Sequence, residues 1–535
     1  MDDSTSESFK LREERLRKLQ VLREKFGIDP YLLNLEDSLP GLSAQYWDRF
    51  KESRRSHQEV QSRYQDLKAG EEHPDLVWVA GRIHNERNSG MFIDLHDQTG
   101  KLQLLNEKES LPPELQIDEY HLLDLLDKGD LLAAQGRPYR TPRGELSLKT
   151  TELWILAKAL YPPPEIIENK RRRLGLQDIE VRYRQRYIDL MVNPEVRETF
   201  RKRALIINQI RQFLTERGYL EFETPILQTE AGGATARPFI THHNALDLCL
   251  YMRIATELHL KRLLVGGFER VFEIGRIFRN EGISTRHNPE FTTVELYQAY
   301  ADLEDMIALT QDLISSLAKS FCGKEKIIYQ GVEIDLAPPW RRISMHDCVL
   351  EQTSFSFDPD SCTLEKAQTQ ARQLKIEING QESIGELMTL AFEMYCEEKL
   401  IQPTFVVDYP WETSPLAGST AHNTLSLSRQ LTDNLRHKSK YAERFELFIY
   451  GREIANAFGE LNDPDHQRQA FLEQQKQKAA GNDEAHPIDR DFLQALECGM
   501  PPSGGEGIGI DRLVMLLTDA PSIRDVILFP TMRPL

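Results

Sequence analysis

The stretch VFEIGRIFRNEGISTRHNPEFTTVELY, residues 271–297, decides how this chain is read. Apolar runs with period-two alternation stand at both ends, and a polar stretch rich in Asn, Gly, Ser and Pro lies between them. This is the pattern of a strand, a reversal and a returning strand. Successive side chains on a strand point to opposite faces. Glu273, Gly275, Ile277 and Arg279 therefore share a face on the way out, and Phe291, Thr293, Glu295 and Tyr297 share one on the return. Charged and aromatic residues in that pattern are out of place on a sheet face packed against helices. They fit a face that forms the floor of a ligand site.

Two further stretches bracket the first. ETPILQ (223–228) follows a helical pattern in which Phe200, Ala204, Ile207, Ile210 and Leu214 recur until Arg217-Gly218 ends it. GGEGIGIDRLVML (504–516) lies near the end of the chain. Its GEGIGI resembles a dinucleotide turn, but only a short tail follows, without the second strand and the acidic residue about 20 positions on that such a site requires. No GxxxxGK[ST], GxSxG or HExxH occurs, which excludes a P-loop, a serine nucleophile elbow and a zinc-peptidase helix. ATP, if used, is held by other means.

In their order and spacing these three stretches resemble the signature motifs of class II aminoacyl-tRNA synthetases. ATELHLK (255–261), FELFIYGREIANAFGELND (445–463) and RDVILFPTMRP (524–534) resemble the lysyl-tRNA synthetase family in particular. The resemblance implies an α+β fold: an antiparallel-sheet catalytic domain with an N-terminal OB-fold β-barrel and a helical N-terminal extension. It implies ATP-dependent activation of L-lysine to lysyl-adenylate, transfer of the lysyl group to the 3′ end of tRNA(Lys), Mg²⁺ as cofactor, and a homodimer built through ETPILQ and the helix before it.

Roles follow from the resemblance residue by residue. Arg279 resembles the arginine that binds the α-phosphate and the lysine carboxylate, for which a planar guanidinium is suited. Arg512 is its catalytic companion. Glu281 and Phe291 resemble the residues that read and stack on adenine, and His287 a γ-phosphate contact. Glu446 and Glu453 resemble the carboxylates for Mg²⁺. Gly233 and Glu257 resemble the α-amino contacts. Glu295 and Glu460 stand where the family grips the ε-ammonium, with Tyr297, Asn456 and Phe458 completing the lysine pocket. Asp511 is expected to cap the last helix. Strand parity puts Glu453 on the face opposite Asn456, Phe458 and Glu460, so an irregularity or a strand end is expected between Glu453 and Asn456. A neutral substrate would leave buried carboxylates unpaired, a penalty of about 10⁴–10⁵ in specificity. One departure from the family is the longer connection after Ser414, with Gly418 where a basic residue is usual.

Outside the motifs, residues 1–74 read as a helical extension of Leu, Arg, Glu and Lys at helix spacing. Short alternating runs from Leu76 mark a small closed barrel at 75–160. Phe92, Gln103 and Glu145 fall where the family reads its anticodon; without that likeness, Phe92 is as readily a core residue. Pro162-Pro163-Pro164 ends the barrel, and a basic stretch at 161–195, with Lys170–Arg173, Arg182, Arg184 and Arg186, reads as a linker or a phosphate contact. Residues 196–535 form the catalytic domain, with a largely helical insertion around 303–400. The formal net charge of −18 opposes non-specific RNA binding, so any RNA contact is local. Six cysteines without a CxxC pair argue against zinc and disulfides. No membrane span and no secretory signal are read, and a cytoplasmic location is expected. Two other functions share the motifs: a lysyl-transferring modifier of a translation factor, whose relatives lack the barrel, and a non-catalytic RNA-binding scaffold, which would have lost its ATP residues.

Overall fold

The alternating runs between residues 77 and 157 close into a five-stranded barrel of Val77–Arg87, Phe92–His96, Lys101–Leu105, Leu131–Arg140 and Leu146–Ala157. Lys101–Leu105 and Leu146–Ala157 run parallel where the barrel closes; its other neighbours are antiparallel. Ile83, Ile93, Leu95, Leu102, Leu104 and Leu132 point inward and are buried. The computed structural model describes residues 2–31, 44–168, 171–418, 440–479 and 488–534. It falls into two units, Met1–Pro194 and Glu195–Leu535.

In the first unit the helices Asp2–Glu24, Ala44–Ser53 and His57–Arg63 are more than a solvated coat. Leu22, Phe26, Phe50, Val60 and Tyr64 bury into the same apolar cluster as the barrel. The second helical stretch breaks before Ser56, which caps His57–Arg63 in a capping box with Glu59. Residues 161–195 are not the open basic linker expected from composition. They form the hairpin Glu165–Glu168 with Arg171–Leu174 and the helices Ile179–Arg184 and Arg186–Val192. Arg182, Arg184 and Arg186 face acids of their own unit: Arg182 and Arg186 meet Asp189 at 2.9 and 2.6 Å, and Arg184 meets Glu180 at 2.8 Å. Arg186 is buried, so exposing it to a phosphate would break a desolvated pair. Lys170 lies outside the described residues.

The second unit is built on an eight-stranded sheet in the order Leu220–Glu221, Arg270–Phe278, Glu290–Ala299, Ser503–Gly509, Glu453–Gly459, Tyr441–Phe448, Thr404–Pro410, Arg341–Ser344. Its centre is antiparallel, and only the two outermost pairs are parallel. The helices Pro194–Glu216, Leu303–Cys322 and Ile510–Thr518 cover one face, packing Ile210, Leu313 and Leu513 against Phe272, Val294 and Ile508. The span 303–400 is not one insertion. Leu303–Cys322 belongs to this central core and Arg341–Ser344 is its edge strand. The inserted helices are Met345–Thr353, Leu364–Gln373 and Ile384–Tyr395, around Phe357, Leu387 and Phe392. No described helix is long and apolar enough to cross a membrane.

Candidate active site

The face of the sheet away from those helices carries the polar pattern read from the sequence. Arg270–Phe278 and Glu290–Ala299 pair in the register Glu273 to Glu295 and Ile277 to Phe291. Continued across the sheet, Glu273, Glu295, Gly507, Asn456 and Glu446 are successive partners on five strands. Val271, Tyr297, Gly505, Phe458 and Arg444 make the next row. The middle strand contributes Gly505, Gly507 and Gly509 to this face, so the floor is bare backbone at its centre. A Cβ on Gly505 would strike Tyr297 and Glu460, whereas one on Gly507 would meet only Glu295 Cγ at 3.6 Å.

Above this floor is a cleft of about 600 Å³ lined by Gly233, Glu257, Arg279, Glu281, His287, Phe291, Glu295, Tyr297, Glu446, Glu453, Asn456, Phe458 and Arg512. Every catalytic-unit residue singled out from the sequence is thus brought together except Glu460. That residue stands just behind the wall, beside Tyr297, in ion-pair contact with Lys261. Gly233 adopts φ +89°, and a Cβ there would press on Ala255 and Glu257 at 3.0 and 3.3 Å. Its backbone lies against Glu257 for that reason.

One end of the cleft is acidic. Glu295 accepts the Thr256 N–H at 3.2 Å. Burial, and then the neighbouring Glu257 carboxylate, push it up to about 7. Burial also pushes Glu460 up to about 8 against the pull of Lys261, and raises Glu257. Carboxylates held this far above their ordinary range are short of a cation. The other end is basic. The Arg279 guanidinium sits 5.3 Å from the centre of the Phe291 ring, and its buried Nε has no hydrogen-bond acceptor among the described residues. Arg512 Nη1 donates to the Glu453 carbonyl at 2.6 Å and lies 3.2 Å from its carboxylate. Its Nη2 is 3.4 Å from His287 Nε2. Burial, then Arg512, lower His287.

The parity conflict at Glu453 resolves as expected. Leu447 pairs with Ala455 but Phe448 pairs with Glu453, so Ile454 is the extra residue of a bulge. The bulge returns Glu453 to the cleft. Asp511 departs from expectation. Gly509 occupies the cap position of Ile510–Thr518, and Asp511, buried in the first turn, accepts from Thr292 N at 2.7 Å and Arg203 at 2.5 Å. It ties the helix to the floor hairpin and leaves Arg512 facing the cleft. Glu273, on the floor in sequence, is taken up by Arg253 and by Thr224 Oγ1 at 2.7 Å, which locks ETPILQ to the hairpin.

Sequence reading missed three contributors. Arg444 bonds Asn456 Oδ1 at 3.1 Å and Ser414 Oγ at 3.0 Å, pairs with Glu446, and lies 4.4 Å from the Tyr409 ring centre. It stands two residues before Glu446 on the same strand, so period-two reading would have found it. Lys261 lies one helical turn from Glu257. The Thr256 N–H carries no sequence signal.

A family model described as tRNA synthetases class II (D, K and N) matches residues 178–533. The chain belongs to this family. An OB-fold nucleic acid binding domain matches residues 77–156. Similar curated proteins are called lysine–tRNA ligase: one of Prochlorococcus marinus strain MIT 9211 is 51% identical over 98% of both chains. One of P. marinus strain MIT 9313 is 53% identical over 98% of this chain and 97% of its own. One of Nostoc punctiforme is 50% identical over 98% and 88%.

In this class II synthetase the barrel residues Phe92 and Gln103 lie on the outer face, because Ile93, Leu95, Leu102 and Leu104 take the interior. Phe92 is half-buried and is not part of the core. Gln103 is buried, and its Oε1 accepts from Ser147 Oγ at 2.8 Å, leaving its amide NH₂ for another partner. Glu145 is 3.1 Å from Lys101 on the neighbouring strand. Residues 419–439, which carry the longer connection after Ser414, lie outside the described residues.

Proposed function

We propose that this chain activates L-lysine with ATP to lysyl-adenylate and pyrophosphate, then transfers the lysyl group to the 3′ end of tRNA(Lys). The observation that carries this reading is the buried carboxylate group Glu257, Glu295 and Glu460 around Tyr297, on the same sheet face as the arginines. A zwitterion with a second ammonium at the end of an apolar stem matches it. Aspartate or asparagine would set an anion or a neutral amide against buried acids. The barrel favours tRNA over a protein acceptor, and the intact set Arg279, Glu281, His287, Phe291, Glu453 and Arg512 favours an enzyme over a scaffold.

Activation needs little proton transfer, because the lysine carboxylate is already an anion and attacks the α-phosphorus in line. Positioning and charge neutralisation do the work. Arg279 holds the carboxylate against the α-phosphate, Phe291 stacks on adenine beside Glu281, and His287 and Arg512 meet the outer phosphates. Glu257 and the Gly233 backbone take the α-ammonium; Glu295 and Glu460 take the ε-ammonium, between Tyr297, Asn456 and Phe458. Glu446 and Glu453 fit Mg²⁺: both line the cleft, and burial pushes Glu446 up to about 7, with the Glu453 charge adding to the rise. Mg²⁺ binds through one or two carboxylates plus phosphates, and when bound it supplies charge neutralisation on the departing pyrophosphate.

In the barrel, Phe92 stacks on an anticodon base while Gln103 and Glu145 bond base edges. Leu220, Ile226, Leu227, Ile240 and Leu246, all exposed around ETPILQ and the hairpin after it, support a homodimer, and protein synthesis as its task places it in the cytoplasm. ATP–pyrophosphate exchange tests the whole reading. Lysine is expected to support exchange, and folded protein that exchanges with aspartate or asparagine instead, or with none of the three, overturns it.

A further inference from the structure

The helix Glu257–Val265 presents Glu257 and Lys261 one turn apart on the side facing the lysine pocket. Lys261 is fully buried. Its Nζ donates to Glu257 Oε1 at 2.5 Å and makes ion-pair contact with Glu460. The ring centre of Tyr297 is 6.0 Å away. Lys261 is the cation that approaches Glu460 Oε2, and among the described residues Glu460 Oε1 is buried without a donor. A buried carboxylate with unfilled acceptor sites beside a fixed ammonium is half of a binding site.

The charges of this pocket can be counted from every element around it. Glu257 and Lys261 come from the helix, Glu295 and Tyr297 from the returning floor strand, Glu460 from the end of the neighbouring strand, and Arg444 faces Glu257 from the strand beyond. Arg279 acts on Glu295, and Arg444 is already paired with Glu446. Three carboxylates therefore face one internal ammonium. Bound lysine adds two more, its α- and ε-ammonium groups, while its carboxylate goes to Arg279. The count closes at three against three.

We propose that Lys261 is a positioning and specificity-determining residue: a built-in ammonium that spaces Glu257 from Glu460 and leaves the pocket with the charge that two substrate ammonium groups neutralise. It touches no reacting atom. This rests on the lysine reading of the pocket. Without Lys261 the acids repel one another unopposed, and the proton that burial already favours on Glu460 is held more tightly than in the wild type. Lysine binding must then displace that proton, and each tenfold loss of ionised Glu460 raises the lysine KM about tenfold.

The test is lysine-dependent ATP–pyrophosphate exchange by the full chain from pH 6.5 to 9.5, with wild type, Lys261→Met and Lys261→Arg. Lys261→Met is expected to raise the lysine KM at least tenfold at pH 7 with kcat changed less than threefold, and to regain affinity as pH rises toward 9.5. Lys261→Arg, which keeps the charge but moves it, is expected to raise KM at least threefold while keeping the wild-type pH profile. Wild type that does not exchange with lysine defeats the functional reading. Wild type that does, beside a methionine variant with wild-type KM and pH profile or with its loss in kcat, overturns the role of Lys261. Should the methionine variant not fold, the arginine variant decides alone, and an unchanged KM in it overturns the proposal.

Discussion

Replacing Glu295 by glutamine removes one charge from the lysine pocket while keeping its shape. The amide oxygen still accepts the Thr256 N–H, which lies 3.2 Å from the carboxylate. The change therefore reports on charge. Leaving a buried charge without its partner costs about 2–5 kcal/mol. At about 1.4 kcal/mol per decade, kcat/KM for lysine falls about 30- to 4,000-fold. The ε-ammonium is remote from the carboxylate that reacts and is gripped equally before and during the reaction, so the loss belongs in KM. The pH dependence adds a sign. Glu295 sits at about 7 in the free protein, and only its ionised form meets an ammonium, so the wild-type lysine KM falls as pH rises from 6 to 8. Glu295→Gln lacks that part of the fall, while the part set by Glu460 at about 8 stays. Pyrophosphate exchange at varied lysine and pH measures all three quantities. A KM within threefold of wild type, or a loss confined to kcat, refutes the assignment of Glu295 to the ε-ammonium.

Three other outcomes follow from the same geometry. Norleucine, which lacks the ε-ammonium, should support exchange about 10⁴–10⁵-fold less well than lysine, but ornithine only about 10–200-fold less, since one methylene is a packing difference; equal rejection of both contradicts the acid-pocket reading. Phe92→Ala should lower tRNA charging about 5- to 150-fold, matching the ~1–3 kcal/mol of a lost base stack, and leave pyrophosphate exchange unchanged; a loss in exchange shows that Phe92 acts through the fold. Buried Glu506 lies 2.6 Å from Thr310 Oγ1, which is also 2.6 Å from the Met306 carbonyl. One hydroxyl proton cannot serve both, so Glu506 carries its own, in keeping with burial pushing it from 4.5 up to about 8. Between those values the folded state holds a proton that the unfolded state has lost, so this residue's contribution to stability falls as pH rises and levels off above about 8. The Tm of wild type relative to Glu506→Gln should therefore drop from pH 5 to pH 9, and a constant difference excludes a protonated Glu506.

The floor hairpin was legible because its function violates the ordinary pattern of a strand. Alternation fixed its faces, and a charged face identified itself as a site. The bulge at Ile454 was legible for the same reason, since Glu453 and Asn456 could not otherwise share the cleft. Where the reading failed, specific pairing or packing had overridden what composition and periodicity suggested. Arg182, Arg184 and Arg186 looked like a solvated basic run, but the acids Asp189 and Glu180 that occupy them sit only a helical turn or two away. Leu303–Cys322 was grouped with an insertion because a helix carries no mark of which sheet it covers. In Pro194–Glu216 the buried residues are Val196, Ile206, Ile210, Phe213 and Leu214. Ile210 and Leu214 of the expected series are among them and Ile207 packs on the core, but Ala204 is exposed and Ile206 and Phe213 were not in the series. Several equally apolar stripes fit that helix, and packing chose among them. Asp511 had the residue type of a cap, yet a neighbouring strand supplied a better donor.

On the proposed lysine reading, the two ends of the cleft also dictate which way round the amino acid lies. Phe291, beside Arg279, and Glu295 are four residues apart on one strand, about 13 Å at ~3.3 Å per residue. Over that distance the wall changes from guanidinium to buried carboxylate. A lysine entering carboxylate-first toward the acidic end would lose its pairing with Arg279 and place an anion among Glu257, Glu295 and Glu460. Like charges at that range in a desolvated pocket repel by several kcal/mol. The opposite orientation satisfies both ends together and leaves the carboxylate pointing at the phosphates. Selectivity and reactive alignment are therefore one electrostatic property of the floor. A substitution that weakens the acidic end should permit misoriented binding as well as weaker binding. In Glu295→Gln, the unreactive fraction would add a kcat loss smaller than the rise in KM, and the inhibition constant for lysinamide, which lacks the carboxylate charge, would change less than the KM for lysine. If the two constants move together, the acidic end sets affinity alone and orientation is fixed by Arg279.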